Sequence, residues 1–372
     1  MIKSALVVGG GIGGMSAALA LTRKGVAVTL IDADPEWRVY GAGITITGMS
    51  LRAFDDLGVM EELRSRGFVH DGMRPLRFTG ESLGQPMRAP PGSPPVMLGG
   101  GILRPVLHDI LSTRVRAAGI EVRLGVSLGT LVQDDGGVDV TLSDGLVAHY
   151  DLVVGADGIY SNLRTRLFPE ARQPQFTGQG CWRFVADRPA EVDRAEIYFG
   201  GPLKIGMSPI SQAQMYVFLL EHVPDNPWFA PETHVAHLHA LMEPFGGNVP
   251  AVRAALGEHS KIVYRPLEWL LLPDPWYLGR VVLIGDAAHA TTPHLASGAG
   301  LAVEDGLVLA EELAKNPAVS AALRAFMNRR FDRARRVVES SVRVGELEMQ
   351  GADRAAQGSV LMAATQALAQ PY

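Results

Sequence analysis

One cysteine, Cys181, stands in the 372 residues, which excludes an internal disulfide and a Cys-x-x-Cys redox pair, so any electron transfer has to use a bound cofactor. Beside Trp182 in an apolar run, Cys181 itself reads as a small buried residue. No window reaches the roughly 18 apolar residues of a membrane-spanning helix, and the chain enters its first apolar strand too early for a removable signal. Charge of one sign is also lacking: the net −5 comes from Lys and Arg mixed among Asp and Glu, which argues against a nucleic-acid surface. The one dense basic run, Arg329, Arg330, Arg333, Arg335 and Arg336, shares a helical pattern with Asp332 and Glu339 and reads as a solvated face. These shortages predict a cytoplasmic protein, monomer or homodimer, whose partners are small molecules rather than nucleic acid or membrane.

Glycine, by contrast, is placed with purpose. Gly9, Gly11 and Gly14 form G-x-G-x-x-G around Gly10, Ile12 and Gly13, directly after the apolar run Ala5-Leu6-Val7-Val8. Gly9 permits the tight turn, Gly11 lets backbone approach a pyrophosphate, and Gly14 lets the next helix pack on the strand, with the helix N-terminus facing the anion. A second strand over residues 27–31 delivers Asp32 about 20 residues on, where an acid binds a ribose 2′-hydroxyl and repels a 2′-phosphate. The nucleotide is then FAD or NAD and not NADP.

Further along, periodicity and punctuation alternate. Helical spacing over residues 49–57 gives way at Phe68 to proline-rich short strands, and Arg104-Pro105 starts a helix through Arg116. Strands follow at 121–124, 128–133, 138–142 and 151–155, the middle two a hairpin around Asp135-Gly136-Gly137. From Phe176 to Leu272, aromatic and β-branched runs with one helix near His234 predict an antiparallel sheet; after a strand at 281–284 the chain is helical. The expected fold class is α/β: a Rossmann-like nucleotide domain (1–67, 101–175, 273–330), an inserted, mostly antiparallel substrate domain (68–100, 176–272) and C-terminal helices (331–372), with the ligand pocket at the seam. His234, His237 and His239 form H-x-x-H-x-H, but the third points away on a helix and no partner has convincing spacing, so no metal is expected.

Two later strands end in Gly-Ala-Asp157-Gly and Gly285-Asp286-Ala-Ala-His289, the second leading into Pro293-His294-Leu295-Ala296-Ser297-Gly298-Ala299-Gly300. Together with the first glycine loop, this pattern resembles the class A flavoprotein aromatic monooxygenases, the para-hydroxybenzoate hydroxylase fold, over essentially the whole chain. The resemblance implies that Asp286 binds the ribityl chain of FAD, that Asp157 sits where FAD meets a transient NADH or NADPH site, and that Arg104 lies near the flavin's phosphates. Physical chemistry agrees on Arg104, because a cation at a helix N-terminus is better tolerated with an anion between them; the alternative is a surface arginine. Where the family more often has Gly-Gln-Gly, this chain has Gly298-Ala299-Gly300; small residues there still let N–H groups approach the flavin's pyrimidine edge.

The pair Pro293-His294 resembles the salicylate and 6-hydroxynicotinate hydroxylase branch, which implies a substrate-pocket histidine able to hold a carboxylate or take a phenolic proton; hydrogen bonding within its own loop is the competing role. Tyr216 either orients a substrate oxygen or packs in the core, and Arg183 either pairs with a substrate carboxylate or caps the sheet surface. His289 reads as structural. The activity implied is hydroxylation of a small aromatic or heteroaromatic substrate with NAD(P)H and O2 through a flavin C4a-hydroperoxide. A reductase, dehydrogenase or halogenase on the same fold, or a non-enzymatic flavin-binding module, are the alternatives.

Overall fold

The structure, a computed structural model, describes residues 2–39, 41–85, 87–352 and 354–372. Apolar runs without polar alternation become strands covered on both faces: Ala27–Asp32, Ser4–Val8, Leu152–Gly155 and Val281–Leu283 lie side by side and parallel, with Glu121–Leu124 at one edge and the antiparallel Tyr277–Leu278 at the other. The first helix, Ile12–Arg23, packs against Gly298–Lys315 and Arg104–Ala117. A small antiparallel sheet, Leu128–Gln133, Val138–Leu142 and Val147–Tyr150, adds Leu128, Val138, Val140 and Tyr150 to the same core. Because Val8 is in register with both Ile31 and Gly155, and Gly155 with Leu283, the segments that follow these strands leave the sheet along one edge. That edge is where open α/β sheets hold ligands.

The two proline-rich excursions meet in one seven-stranded sheet, ordered Val263–Trp269, Gln175–Asp187, Gln214–His222, Lys204–Pro209, Ala195–Phe199, Gly72–Arg77 and Met87–Arg88. Its far face carries a separate core of Trp182, Phe184, Met207, Val217 and Leu219 under the helices His234–Met242 and Val249–Ala255. Gly99–Leu103 pairs instead with Phe68–His70 on one side and, on the other, with Gly43–Ile46, a strand that precedes the helix Gly48–Asp56 and was not evident from sequence. No helix among the described residues is long and apolar enough to cross a membrane.

The expected solvated arginine face is only half right. Arg335 and Arg336 are exposed, but Arg330 is fully buried and donates to Asp305 Oδ1 (2.8 Å), Glu304 Oε2 (2.7 Å) and the Leu301 carbonyl (3.2 Å), while Arg333 donates to both Glu304 oxygens. The helix Val319–Met349 explains this: Arg330 falls on the same stripe as Phe326, Met327, Ala334 and Val337, facing the buried carboxylates of the neighbouring helix. Replacing Arg330 with Met should therefore lower the free energy of unfolding by about 3–5 kcal/mol, because two buried carboxylates each lose one of their charged partners. Arg335→Ala should leave the urea midpoint where it is, and equal midpoints for the two variants would refute this assignment.

Candidate active site

The glycine loop is built as its spacing requires. A Cβ on Gly14 would lie 1.9 Å from the Gly9 carbonyl oxygen, and one on Gly9, whose φ is +106°, would lie 2.4 Å from the Ala156 carbonyl oxygen. A Cβ on Gly11 would meet nothing within 4 Å, so this backbone faces open space rather than packed protein. Neither Gly11 at the start of the first helix nor Ser297 at the start of Gly298–Lys315 makes a side-chain cap, and neither helix has an acid in its first turn. Both helices thus present uncapped N–H groups, Gly298 and Ala299 among them, to an anion or an electron-rich edge. Asp32 points back at this loop, accepting from the N–H groups of Gly10 (2.7 Å) and Asp34 (2.8 Å).

The separated motifs converge. A Cβ on Gly13 and one on Gly285 would each come within 3.2 Å of the same Ala302 methyl, so the first loop, the Gly285-Asp286 turn and the late helix touch around small residues. Buried Arg164 joins the Asp157 segment to this point by donating to the carbonyls of Ile159 (2.8 Å) and Ala287 (3.0 Å). Asp157 braces the short helix that follows it, accepting from the Ser161 hydroxyl (2.5 Å) and the Leu163 N–H (3.1 Å), while Ser161 caps that helix by accepting from the Arg164 N–H (2.8 Å). Asp286 keeps an exposed carboxylate although protein surrounds it, which places it on the floor of a cleft. Burial pushes its carboxyl upward, with His289 and Arg104 pulling it back.

Across the cleft stand Arg104, Arg183 and Tyr216. Arg104 begins the helix Arg104–Ala117 and runs along Gly41, where a Cβ would lie 2.9 Å from its Cδ; Gly41 has φ +119° and is open to glycine alone in practice. Tyr216 packs over Gly43, where a Cβ would lie 2.4 Å from the tyrosine Cβ. Burial pushes the Tyr216 phenol up to about 12 against the pull of Arg183, so it is neutral and able to donate at physiological pH. Burial also lowers the Arg104 guanidinium, and Arg183 beside it acts in the same direction. Cys181 is buried in this group, and burial pushes its thiol up.

His294 lies on the loop between the Gly285-Asp286 turn and the late helix, but its side chain is fully buried. Nδ1 is 2.8 Å from Thr292 Oγ1, and Nε2 lies 3.3 Å from Glu348 Oε2. Pro293 precedes it, and Ala296 after it adopts a left-handed backbone with φ +48°. His289 is bonded to Asp305 at 2.6 Å, within the fold. His234 and His239 meet backbone carbonyls and His237 meets Glu221; among the described residues no group of three candidate metal ligands occurs. Sequence reasoning missed Trp37, whose indole donates to the Gly10 carbonyl (2.9 Å), together with Asp305, Glu348 and Lys204, none of which lies in a recognisable motif.

The residues fit an extended dinucleotide running from Asp32 past Gly11 and Arg104 to Asp286 and Gly298, with uncapped amides along the way and a carboxylate at each end. Comparison with known proteins agrees. Residues 3–341 match the family model described as FAD binding domain. The chain is 32% identical over 357 residues to the putative FAD-dependent monooxygenase YetM of Bacillus subtilis, covering 94% of this chain and 95% of that one. It is 30% identical over 372 residues to 3-hydroxybenzoate 6-hydroxylase of Polaromonas naphthalenivorans, covering 94% and 89%. The solved tetrameric form of 2-methyl-3-hydroxypyridine-5-carboxylic acid oxygenase aligns with a TM-score of 0.81 at 26% identity over 99% and 96% of the two chains. The chain belongs to the FAD binding domain family and is a FAD-dependent monooxygenase of the class A flavoprotein type.

If Asp286 holds the ribityl chain, Asp286→Ala removes a charge-assisted hydrogen bond of about 1.5–3 kcal/mol, and the FAD dissociation constant should rise about 10–100-fold. Fluorescence titration of the apoprotein measures this, with an unchanged apoprotein melting temperature as the control. Wild-type affinity in the variant removes Asp286 from the cofactor site.

Proposed function

We propose that this enzyme takes electrons from NADH or NADPH and, with O2, hydroxylates a small aromatic or heteroaromatic ring that carries a negative charge, either a carboxylate or an ionised ring hydroxyl. The observation that carries the reading is that Arg104 and Arg183 share the cleft: neither makes an ion pair with a carboxylate among the described residues, and after burial the Arg183 charge is the main influence lowering the Arg104 guanidinium, with Asp286 opposing it. Two neighbouring guanidinium groups repel, and an anionic ligand between them relieves that repulsion. A guanidinium also grips a carboxylate through two parallel hydrogen bonds, which orients a flat ring as well as binding it. Two relatives, a hydroxybenzoate hydroxylase and a pyridine-carboxylic acid oxygenase, are both named for ring carboxylic acids.

Bound FAD supplies the redox chemistry and oxygen activation for which the side chains have no equivalent. The chain's own residues bind, orient and keep water out. Asp32 takes the adenosine ribose, the N–H groups of Gly11 to Gly14 take the pyrophosphate, Asp286 the ribityl chain, and Gly298 and Ala299 the flavin's edge. Asp157 stands where the nicotinamide approaches. Arg183 holds the substrate's charge, and the neutral Tyr216 hydroxyl donates to a ring oxygen. Ala42, Ile210, Val185 and Phe218, packed around Tyr216, form an apolar wall that excludes water from the reacting oxygen. Pro293 and the His294 backbone close the pocket on the flavin side.

A panel of aromatic acids, hydroxypyridines, neutral phenols and polyketide phenols separates this reading from its rivals, with NAD(P)H consumption and oxygenated product measured together. Acidic rings should stimulate NAD(P)H oxidation and appear with one added oxygen atom by mass. Arg183→Met should raise KM for them about tenfold or more, with a smaller change in kcat. Consumption with no oxygenated product from any member would mean a reductase instead; a preference for neutral phenols, unchanged in Arg183→Met, would defeat the anionic-substrate assignment alone.

A further inference from the structure

We propose that Glu348, locked in place by Lys204, is a positioning residue for the flavin-edge loop: it holds His294 as the neutral tautomer protonated on Nε2, which leaves Nδ1 to accept from the Thr292 hydroxyl. The proposal rests on the reading that the Pro293–Ala299 segment borders FAD.

Three distant parts of the chain meet at this histidine. Thr292 and His294 belong to the loop, Glu348 to the last turn of the helix Val319–Met349, and Lys204 to the first position of the sheet strand Lys204–Pro209. Lys204 Nζ is 2.6 Å from Glu348 Oε1, and the other carboxylate oxygen faces His294 Nε2 at 3.3 Å. That second contact falls short of a full hydrogen bond, so the charge of the carboxylate rather than ideal geometry sets the proton's position. Were the proton on Nδ1, the Nε2 lone pair would face a carboxylate oxygen, two electron-rich groups in a buried site. The imidazolium is disfavoured as well, because burial and the Lys204 ammonium both oppose it, with Glu348 alone in its favour. Glu348 remains ionised: burial opposes its charge, but Lys204 and His294 outweigh that and bring the carboxyl down to about 2.

The helix makes room for the arrangement. A Cβ on Gly345 would lie 2.7 Å from Gln179 Oε1 and 2.9 Å from His294 Cε1, so the imidazole is seated directly against helix backbone. Glycine is among the poorest formers of a helix interior, and close approach by a functional side chain accounts for it here. Gln179 is neutral, which leaves Glu348 and Lys204 as the charged groups facing His294 from the packed elements. The loop thus fastened carries the left-handed Ala296 and leads straight into the uncapped amides of Gly298 and Ala299. Glu348 therefore acts on the flavin edge through His294 and touches neither flavin nor substrate.

Nitrogen-15 NMR of the holoenzyme labelled at histidine, with the His294 signal assigned by its loss in His294→Asn, tests this without any substrate. The expected result is a neutral His294 with the proton on Nε2 at pH 6.5, where an ordinary imidazole is half protonated. Glu348→Gln should mix in the other tautomer and lower kcat about tenfold with little change in substrate KM, Lys204→Met, which removes the ammonium that opposes the imidazolium, should raise the pH at which His294 takes a second proton, and Glu348→Asp should recover part of the Glu348→Gln loss. A wild-type His294 that is protonated on Nδ1, or that titrates near pH 6.5, overturns the proposal, as does a wild-type tautomer persisting in Glu348→Gln. Because the tautomer is read with no turnover, it stands or falls separately from the assigned reaction.

Discussion

The geometry of the cofactor cleft depends on one buried carboxylate. Asp305 accepts from the Gly285 N–H (2.8 Å) and from His289 Nε2 (2.6 Å) on one oxygen, and from Arg330 Nε (2.8 Å) on the other. Burial alone would push this carboxyl up; His289, Arg330 and the Gly285 amide overcome it and hold it well below the usual carboxylate range. The same side chain therefore fixes the turn that presents Asp286, the imidazole of the Asp-Ala-Ala-His segment, and the late helix whose N-terminus opens on the cleft. Gly285 itself has φ +58°, a conformation that a side chain would strain, and Asp305 reaches its amide only because the chain turns there. A buried charge with a complete set of partners is expensive to disturb, which suits a group that sets positions rather than one that reacts.

Charge is sorted along the cleft by the same logic. The carboxylates of Asp32 and Asp286 stand at the two ends of the proposed dinucleotide path, where sugar and ribityl hydroxyls offer donors. Arg104 stands between them at a helix start, a poor place for a cation unless an anion is close. Arg183 lies beyond it on the inserted sheet, together with a phenol that burial keeps neutral. An anionic ring entering from that side meets guanidinium before it meets carboxylate, so the same field that relieves the arginine pair also sets which end of the substrate faces inward.

What was legible in the sequence was local. The glycine loop, the strand before it and the acid after it are consecutive in one β-α-β unit, and the structure forms them as read. The strand Lys204–Pro209 was not legible, because Gly206 and Pro209 look like punctuation; Gly206 is there because the Phe218 ring crosses it, where a Cβ would fall 2.1 Å from the ring. Arg330 was misjudged for a related reason. It sits in a run with Asn328, Arg329, Asp332 and Arg333, but its helical phase turns it toward Glu304 and Asp305, and no local pattern distinguishes an arginine facing water from one facing buried carboxylates. Trp37 was invisible because its contact to Gly10 depends on a left-handed φ of +50° at a non-glycine residue.

His294 shows how a motif can be silent about direction. The Pro-His pair lies on the loop between the Gly285-Asp286 turn and the late helix, yet the imidazole turns away from solvent and its two nitrogens face Thr292 and Glu348. The contribution of the loop to the cleft is then mostly backbone, and backbone is useful only if it is held still. Ala296 at φ +48° is unfavourable by about 1–2 kcal/mol for a residue with a Cβ, and such a conformation persists only where the surroundings over-determine it. Leu295 packs with Met49, Leu301 and Val344 on one side of that residue, and the Ser297 hydroxyl donates to the Leu295 carbonyl on the other. With His294 fastened to the long helix as well, the loop is anchored on both flanks of its strained residue, and the amides that follow can be aimed without a side chain reaching the flavin.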